Sequence, residues 1–356
     1  MRPISTARPT AASRSNRAAR RAATGLAAVA TVGLLAACGT TADAAESGDS
    51  NDTDTAAAES TDPLVVGVFL PGSISDTGFM QSAHLGVERA QETHGDAIDV
   101  TYVEEVAASD YEQVLVRFAS ESDLVISVGG QTDADVRAVA PQFPDVTFVE
   151  IGGPSDAEPL DNLAYYDPEQ AEAEYLSGAV AALSSESGSI GFIGGVELPA
   201  IVNASGAFAN GAEAAVPGTE VVTAQFLGDF NDPAKAKQAA AANFSVGVDV
   251  IGQIVNLGKT GIEQAAQDAD ASMIGGPIPG ECADPYVGFV RTDIGTEVEY
   301  AIDSVLDGSW EAAQVPFGLT TDREGTEFVL CTDDAETAAS LAEIEESVAS
   351  GSVEPY

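Results

Sequence analysis

Four short stretches of this chain hold residue types that can grip a small solute. Asp76-Thr77-Gly78-Phe79-Met80-Gln81 sets an acid, an aromatic ring, a thioether and an amide within six positions. Gly129-Gly130-Gln131-Thr132 and Asn256-Leu257-Gly258-Lys259-Thr260-Gly261 combine glycines with polar side chains. Such glycines let backbone N–H groups approach a ligand, although plain turns account for them as well. Phe230, in Gly228-Asp229-Phe230-Asn231-Asp232-Pro233, supplies a second ring. The chemistry is that of binding. An aromatic face can stack on a flat ring, a contact worth about 1–3 kcal/mol per base in nucleic-acid systems. Asp76 is an acceptor for a loop or a helix start, and the Met80 thioether can pack on an aromatic edge. Each ring also has a bland reading: Phe79 fits the core face of a helix, and Phe230 a capping loop packed on its own helix.

Bond-making chemistry finds little support. Gly188-Ser189-Ile190-Gly191-Phe192-Ile193-Gly194-Gly195 is not the G-x-G-x-x-G of a dinucleotide site, and no nucleophile elbow or zinc-protease signature occurs. The two histidines, His84 and His94, have no metal-ligand or triad partners at useful spacing. The expectation is a binding protein with no enzymatic activity, no cofactor and no metal.

The elements that must position these stretches alternate between strand and helix. Leu64 to Leu70 is a buried-strand run, and the Asp76 stretch lies between it and a helical pattern from Phe79 to Glu92. Further strands read at Ile98 to Val103, Leu124 to Val128, Val146 to Ile151 and Leu163 to Tyr166. A second half repeats the order: a helix from Pro168 to Ser184, strands at Ile190 to Ile193 and Val221 to Leu227, then an alanine-rich helix. Asp232 reads as that helix's N-cap with Pro233 at its first position. A closing helix runs from Ala335 to Val348. Strands alternating with helices of this length imply parallel sheets, whose ligand crevices lie beyond the strand C-termini. The expected fold is therefore α/β, two doubly wound parallel-sheet lobes joined by hinge crossings, with the solute between them. The expected division assigns 64–166 and 287–310 to lobe 1, and 167–286 and 311–356 to lobe 2.

The N-terminus reads as an export signal. Residues 1–21 carry six arginines and no acid, Ala22 to Ala37 is small and apolar, and Leu35-Ala36-Ala37-Cys38 resembles a lipobox. Residues 1–37 are then a signal peptide and Cys38 a lipidated N-terminus; the competing reading is a single-span anchor. Residues 38–63 lack large apolar residues and form a tether, about 25 residues with a reach of roughly 25–30 Å. The twin arginines Arg20-Arg21 leave the export route, general or twin-arginine, open. After Cys38, eight basic residues stand against all 57 acids, a net charge near −49 before the histidines are counted. That excludes nucleic acid and anionic lipid surfaces as partners. A scattered, lysine-poor acidic surface suits high salt, where self-repulsion is screened. Cys282 and Cys331 remain after lipidation, as a disulfide in an exported protein or as two buried thiols.

The wording from Gly188 onward, GFIGG, a helix, then FNDPAKAK and GVDVI, resembles the basic membrane protein family of lipoproteins. The likeness runs over nearly all of Leu64 to Tyr356. It implies a periplasmic-binding-protein type I fold and a nucleoside-type substrate-binding protein of an ABC importer. Such a protein is monomeric, held outside the cell membrane by its lipid alone, and presents its closed form to permease subunits. A tethered sensor feeding a membrane receptor would look alike in sequence. Asp76 to Ala83 resembles the family's D-x-S-F-N-Q-S-A motif, which implies that Phe79 stacks on a base, with Asp76 and Gln81 matching by position. Met80 stands where the family's base-reading Asn is expected, and Phe230 where it places a second aromatic. The sugar side departs from the pattern. Ile274-Gly275-Gly276-Pro277-Ile278-Pro279 lacks the family's acid, and Val287-Gly288-Phe289-Val290-Arg291-Thr292-Asp293 lacks its lysine. Arg291, Asp293, Glu281 and Asp284 are the candidates to replace them. Nucleoside, bare base, another flat heterocycle or a different polar solute are all admissible ligands. The expected binding set is Asp76, Phe79, Met80, Gln81, Gly130, Phe230, Asn256, Gly258 and Arg291.

Overall fold

The computed structural model describes residues 62–323 and 325–356; the expected signal peptide, the expected lipidation site Cys38 and the expected tether as far as residue 61 lie outside them. The chain opens with β1 (Leu64–Phe69), α1 (Phe79–His94), β2 (Ile98–Val103), α2 (Tyr111–Glu121) and β3 (Leu124–Val128). It continues through α3 (Asp133–Val139), β4 (Thr147–Ile151) and β5 (Leu163–Asp167). After a first crossing come α4 (Gln170–Ser184), β6 (Ser189–Gly194), α5 (Pro199–Ala215), β7 (Glu220–Val221) and β8 (Gln225–Phe226). Then follow α6 (Pro233–Ser245), β9 (Val250–Ile254), α7 (Lys259–Ala269), β10 (Ser272–Gly275) and β11 (Tyr286–Thr292). The last elements are α8 (Ile294–Leu306), β12 (Gln314–Pro316), β13 (Thr326–Leu330) and α9 (Ala335–Ala349).

The strands sort into two sheets, ordered β12-β5-β4-β3-β1-β2 and β13-β11-β10-β9-β6-β7, with β8 also on β6. Pairing is parallel except for the last strand, β13, which runs antiparallel to β11. Parallel sheets are covered on both faces, so their strands are nearly continuous apolar runs. Leu124 to Val128 is buried at every position. Core side chains accordingly lie on both sides of each sheet: Val66, Val68 and Ile126 pack with α1 and α8, and Val125 and Phe148 pack with Phe118 of α2 and Val136 of α3. In the second lobe Phe192 packs with Leu176 of α4 and Phe208 of α5, and Ile251 with Ala236 of α6 and Ile262 of α7.

Local signals hold where they are chemical. Asp232 accepts from the N–H groups of Ala234 and Lys235, both at 3.0 Å, and caps α6 with Pro233 at its first position. The Val221 to Leu227 run is two short edge strands, because β7 meets β6 at Ser189 and Ile190 while β8 meets it at Ile193 and Gly194.

Two placements differ from the expected division. The run from Val287 does not enter lobe 1 as a strand: β11 lies between β10 and β13 in the second sheet, and only α8 returns to pack beside α1. The run at Val315 belongs to the first sheet, where β12 extends β5 as an edge strand. Both sheets are built from the same kind of buried apolar strand, so burial pattern identifies a strand without identifying its sheet. Three crossings therefore join the lobes, at 167–170, 292–294 and 316–319. Glu172 ties the first to the third, accepting from the Leu319 N–H and, at 2.7 Å, from the Thr320 hydroxyl. Phe317 N–H donates to the Asp167 carbonyl at 2.8 Å. Cys282, in the loop between β10 and β11, is disulfide-bonded to Cys331 at the end of β13, with Cα atoms 5.2 Å apart. Among the described residues no helix is long and apolar enough to cross a membrane.

Candidate functional site

Each sheet reverses its strand order at one point, between β1 and β3 in the first and between β6 and β9 in the second. The crevice beyond such strand ends is where doubly wound folds hold ligands. Here the two crevices face each other across a cavity of about 330 Å³, near the small end of the roughly 300–1,000 Å³ typical of ligand pockets. Its walls come from the loops after β1, β3 and β4 on one side and after β6, β8 and β9 on the other.

Phe79 and Phe230 bring one aromatic ring from each lobe to this cavity. Glycine backbone supports both. A Cβ at Gly152 would stand 3.0 Å from Phe79 Cζ, and one at Gly195 would overlap the Phe230 ring. Each ring thus rests against main chain, which fixes its position more firmly than a flexible side chain would. Met80, Gly130 and Asn256 also line the cavity. Asn256 reaches across the cleft as well, its Oδ1 accepting from the Phe79 N–H at 3.4 Å.

The other expected residues are not part of the cavity wall. Asp76 is fully buried and spends its carboxylate on the start of α1, accepting from Gly78 N–H at 2.7 Å, Gln81 N–H at 3.1 Å and Met80 N–H at 3.2 Å. Burial pushes its pKa up and those three donors pull it back. Gln81 turns backwards, its Oε1 accepting from the Thr77 N–H at 3.0 Å. Together they hold Thr77 at a φ of 51°, a left-handed conformation unusual for a β-branched residue. Gly258 donates its N–H to the Phe230 carbonyl at 3.1 Å and so braces the aromatic loop. Arg291 lies on β11 between buried Val290 and Thr292, and pairs with Glu327 at 2.9 Å and Asp293 at 3.7 Å in a separate cavity beside the third crossing. Asp293 caps α8 and pairs with Arg89 at 3.0 Å, while Glu281 and Asp284 are exposed. None of these four lines the cavity.

Three functional-looking side chains escaped the sequence reading. Lys259, at the start of α7, donates to the Thr77 carbonyl of the other lobe at 2.6 Å and to the Gly276 carbonyl at 3.1 Å. Burial pulls its pKa below the usual lysine value, against the opposing fields of Asp76 and Glu263. Gln170 and Glu174 stand one turn apart on α4 and line the floor of the cleft. A lone acid inside the small-residue run Ala173 to Leu183 was the available signal for Glu174. What the assembled site can do is enclose a small flat solute between two rings and hold the lobes together at the rim.

Residues 64–322 match the family model for PnrA-like ABC transporter substrate-binding proteins. A purine-binding protein of Brucella abortus is 29% identical over 314 residues, covering 84% of this chain and 85% of that protein. An ABC transporter nucleoside-binding protein of Lactococcus lactis is 28% identical, covering 62% of this chain and 60% of that one. A putative glucose-binding protein of an ABC transporter from Haloferax volcanii is 27% identical, covering 77% and 69%. Among solved structures, an ABC transporter solute-binding protein from Aeropyrum pernix superposes with a TM-score of 0.72 at 22% identity, covering 82% of this chain and 93% of that one.

Proposed function

This chain belongs to the PnrA-like family of ABC transporter substrate-binding proteins, and from that premise we propose that its solute is a purine or purine nucleoside, captured outside the cell membrane and handed to an ABC permease. The observation that carries this reading is the pair Phe79 and Phe230, one from each lobe, both lining a single cavity. Two faces of this kind suit a planar heterocycle, and the purine-binding and nucleoside-binding relatives point to the same class. Binding couples to lobe closure, since the solute touches both lobes and stabilises the state in which they meet. The permease then reads the closed form. Cys38 serves as the lipid anchor and the following residues as the tether, while the acidic surface adapts the protein to high salt. No catalytic step is assigned to it.

A second reading is favoured by one finding: the Haloferax relative is a putative glucose-binding protein, and sugars also stack on aromatic faces. One experiment separates the two. In molar salt, the purified protein is titrated calorimetrically with inosine, guanosine, hypoxanthine and glucose. Submicromolar binding of a purine compound with no heat from glucose supports the first reading. Glucose binding alone replaces it with the second.

A further inference from the structure

Beside the main cavity lies an annex of about 30 Å³, enough for one oxygen-bearing group by the criterion that a water needs roughly 10–15 Å³. The two spaces are continuous in their walls, sharing Phe79, Gln170, Ile254 and Asn256. The annex is otherwise polar at Glu174, Gln253 and Thr292. Glu174 is 3% exposed, and its Oε2 has no hydrogen-bond partner. Leaving a buried acceptor unmade is costly, so such an atom on a side chain that borders a cavity marks a missing partner. Glu150 and Glu297 carry orphaned oxygens too, but neither borders this cleft.

Position supports the same conclusion. Gln170, Ala173 and Glu174 lie at i, i+3 and i+4 on α4, one face of a helix directed at the cleft floor. No other ionisable side chain lines the annex. The charged groups of neighbouring elements are engaged elsewhere. Glu172 serves the third crossing, Arg291 and Glu327 pair in the separate cavity beside it, and Lys259 reaches only the Gly276 carbonyl on the annex wall. Burial pushes Glu174 up to about 8, against the Ser177 hydroxyl on the same helix, which pulls it back, so near neutrality it holds a proton and can donate as well as accept.

We propose that Glu174 is the specificity residue of the cleft, exchanging a hydrogen bond through the annex with a hydroxyl of the captured solute, so that a glycosylated ring binds in preference to the bare ring. This rests on the ring-clamp reading above and adds the group that distinguishes nucleoside from base. Hydrogen bonds to a buried group with one unpaired oxygen discriminate strongly, because the analogue without the hydroxyl leaves that oxygen unpaired again.

The test is calorimetry at pH 7 with inosine and hypoxanthine on the wild-type protein, Glu174→Ala and Glu174→Gln. Wild type is expected to prefer inosine. Glu174→Ala should weaken inosine roughly 10- to 100-fold and hypoxanthine less than about threefold, with hypoxanthine binding serving as the check that the variant is folded. Glu174→Gln, which keeps a donor and an acceptor, should restore inosine to within about fivefold. A second arm leaves the protein intact and strips the ligand. Of 2′,3′-dideoxyinosine and 5′-deoxyinosine, at least one should bind wild type roughly tenfold more weakly than inosine, and the two should become equal in Glu174→Ala. Equal losses for both ligands, or a wild type indifferent to every hydroxyl, overturns the role of Glu174 and leaves the ring clamp standing. A wild type that binds neither inosine nor hypoxanthine overturns the ring clamp, and this assignment with it.

Discussion

The ammonium of Lys259, on the second lobe, donates to the carbonyl of Thr77, on the first, at 2.6 Å. Thr77 is held ready for it. Its left-handed backbone is fixed by the Gln81 amide on its N–H, and its carbonyl is thereby turned toward the opposite lobe. A contact made only when the lips of the cleft meet strengthens binding without stabilising either lobe. Lys259→Met is expected to lower solute affinity roughly 10- to 100-fold, the value of a charged hydrogen bond. The melting temperature of the unliganded protein should stay within about 2 °C. Calorimetric affinity unchanged within twofold would remove the rim contact from the binding mechanism.

The aromatic clamp predicts a graded series. Phe79→Ala and Phe230→Ala should each cost roughly 5- to 100-fold in affinity for a purine compound, the range of one stacking face. Gly195→Ala reaches the same site without touching a ring, since its new Cβ occupies the space of Phe230. It should reproduce most of the Phe230→Ala loss. A Gly195→Ala protein binding as tightly as wild type would show that Phe230 does not depend on its glycine seat.

Stability should fall as pH rises, against the usual behaviour of carboxylates. Burial pushes Glu169 and Glu174 up to about 8 and raises Glu150 and Glu297 well above the ordinary carboxylate value. In the unfolded chain they ionise near 4.5. Between those values the folded protein binds more protons than the unfolded one, so the linkage slope is negative. The melting temperature should be lower at pH 8.5 than at pH 5.5, even in molar salt, where surface repulsion is screened. Glu297→Gln should flatten the decline. A flat or rising curve would place these carboxyls in contact with water.

The Cys282–Cys331 bridge closes a loop with a sequence separation of 49. Closing a loop of that length restricts the unfolded chain by about 3–4 kcal/mol. Replacing both cysteines with serine should lower the melting temperature by roughly 10 °C while solute affinity stays unchanged. Neither cysteine lines the cleft.

Strands and caps were legible because their signals are local. Leu124 to Val128 can only be a strand buried on both faces, and Asp232-Pro233 can only open a helix so cheaply. The lobe to which β11 and β12 belong was not legible, since that depends on which partner strand lies alongside. Phe79 and Phe230 were indicated by the family resemblance of the stretches around them, and both line the cavity. Arg291 lies off this cavity for a simple reason: on β11 its neighbours Val290 and Thr292 take the buried face, which commits the arginine to the other. Asp76 carried the right chemistry and the wrong destination, serving the turn that positions Thr77. Lys259 and Glu174 act through distances across the cleft and down a helix, and one-dimensional spacing does not encode those.

The interleaving of the two sheets has a consequence for how the protein is made. The first sheet lacks its edge strand until residues 314–316 are available, and the second lacks β13 until residue 330. Neither lobe can be completed from the N-terminal two-thirds of the chain. During synthesis or translocation both must wait for nearly the same late segment, so the lobes finish together. A chain cut short before residue 314 would therefore leave two incomplete halves for proteases, with no finished lobe to accumulate as a solute trap that the permease cannot empty.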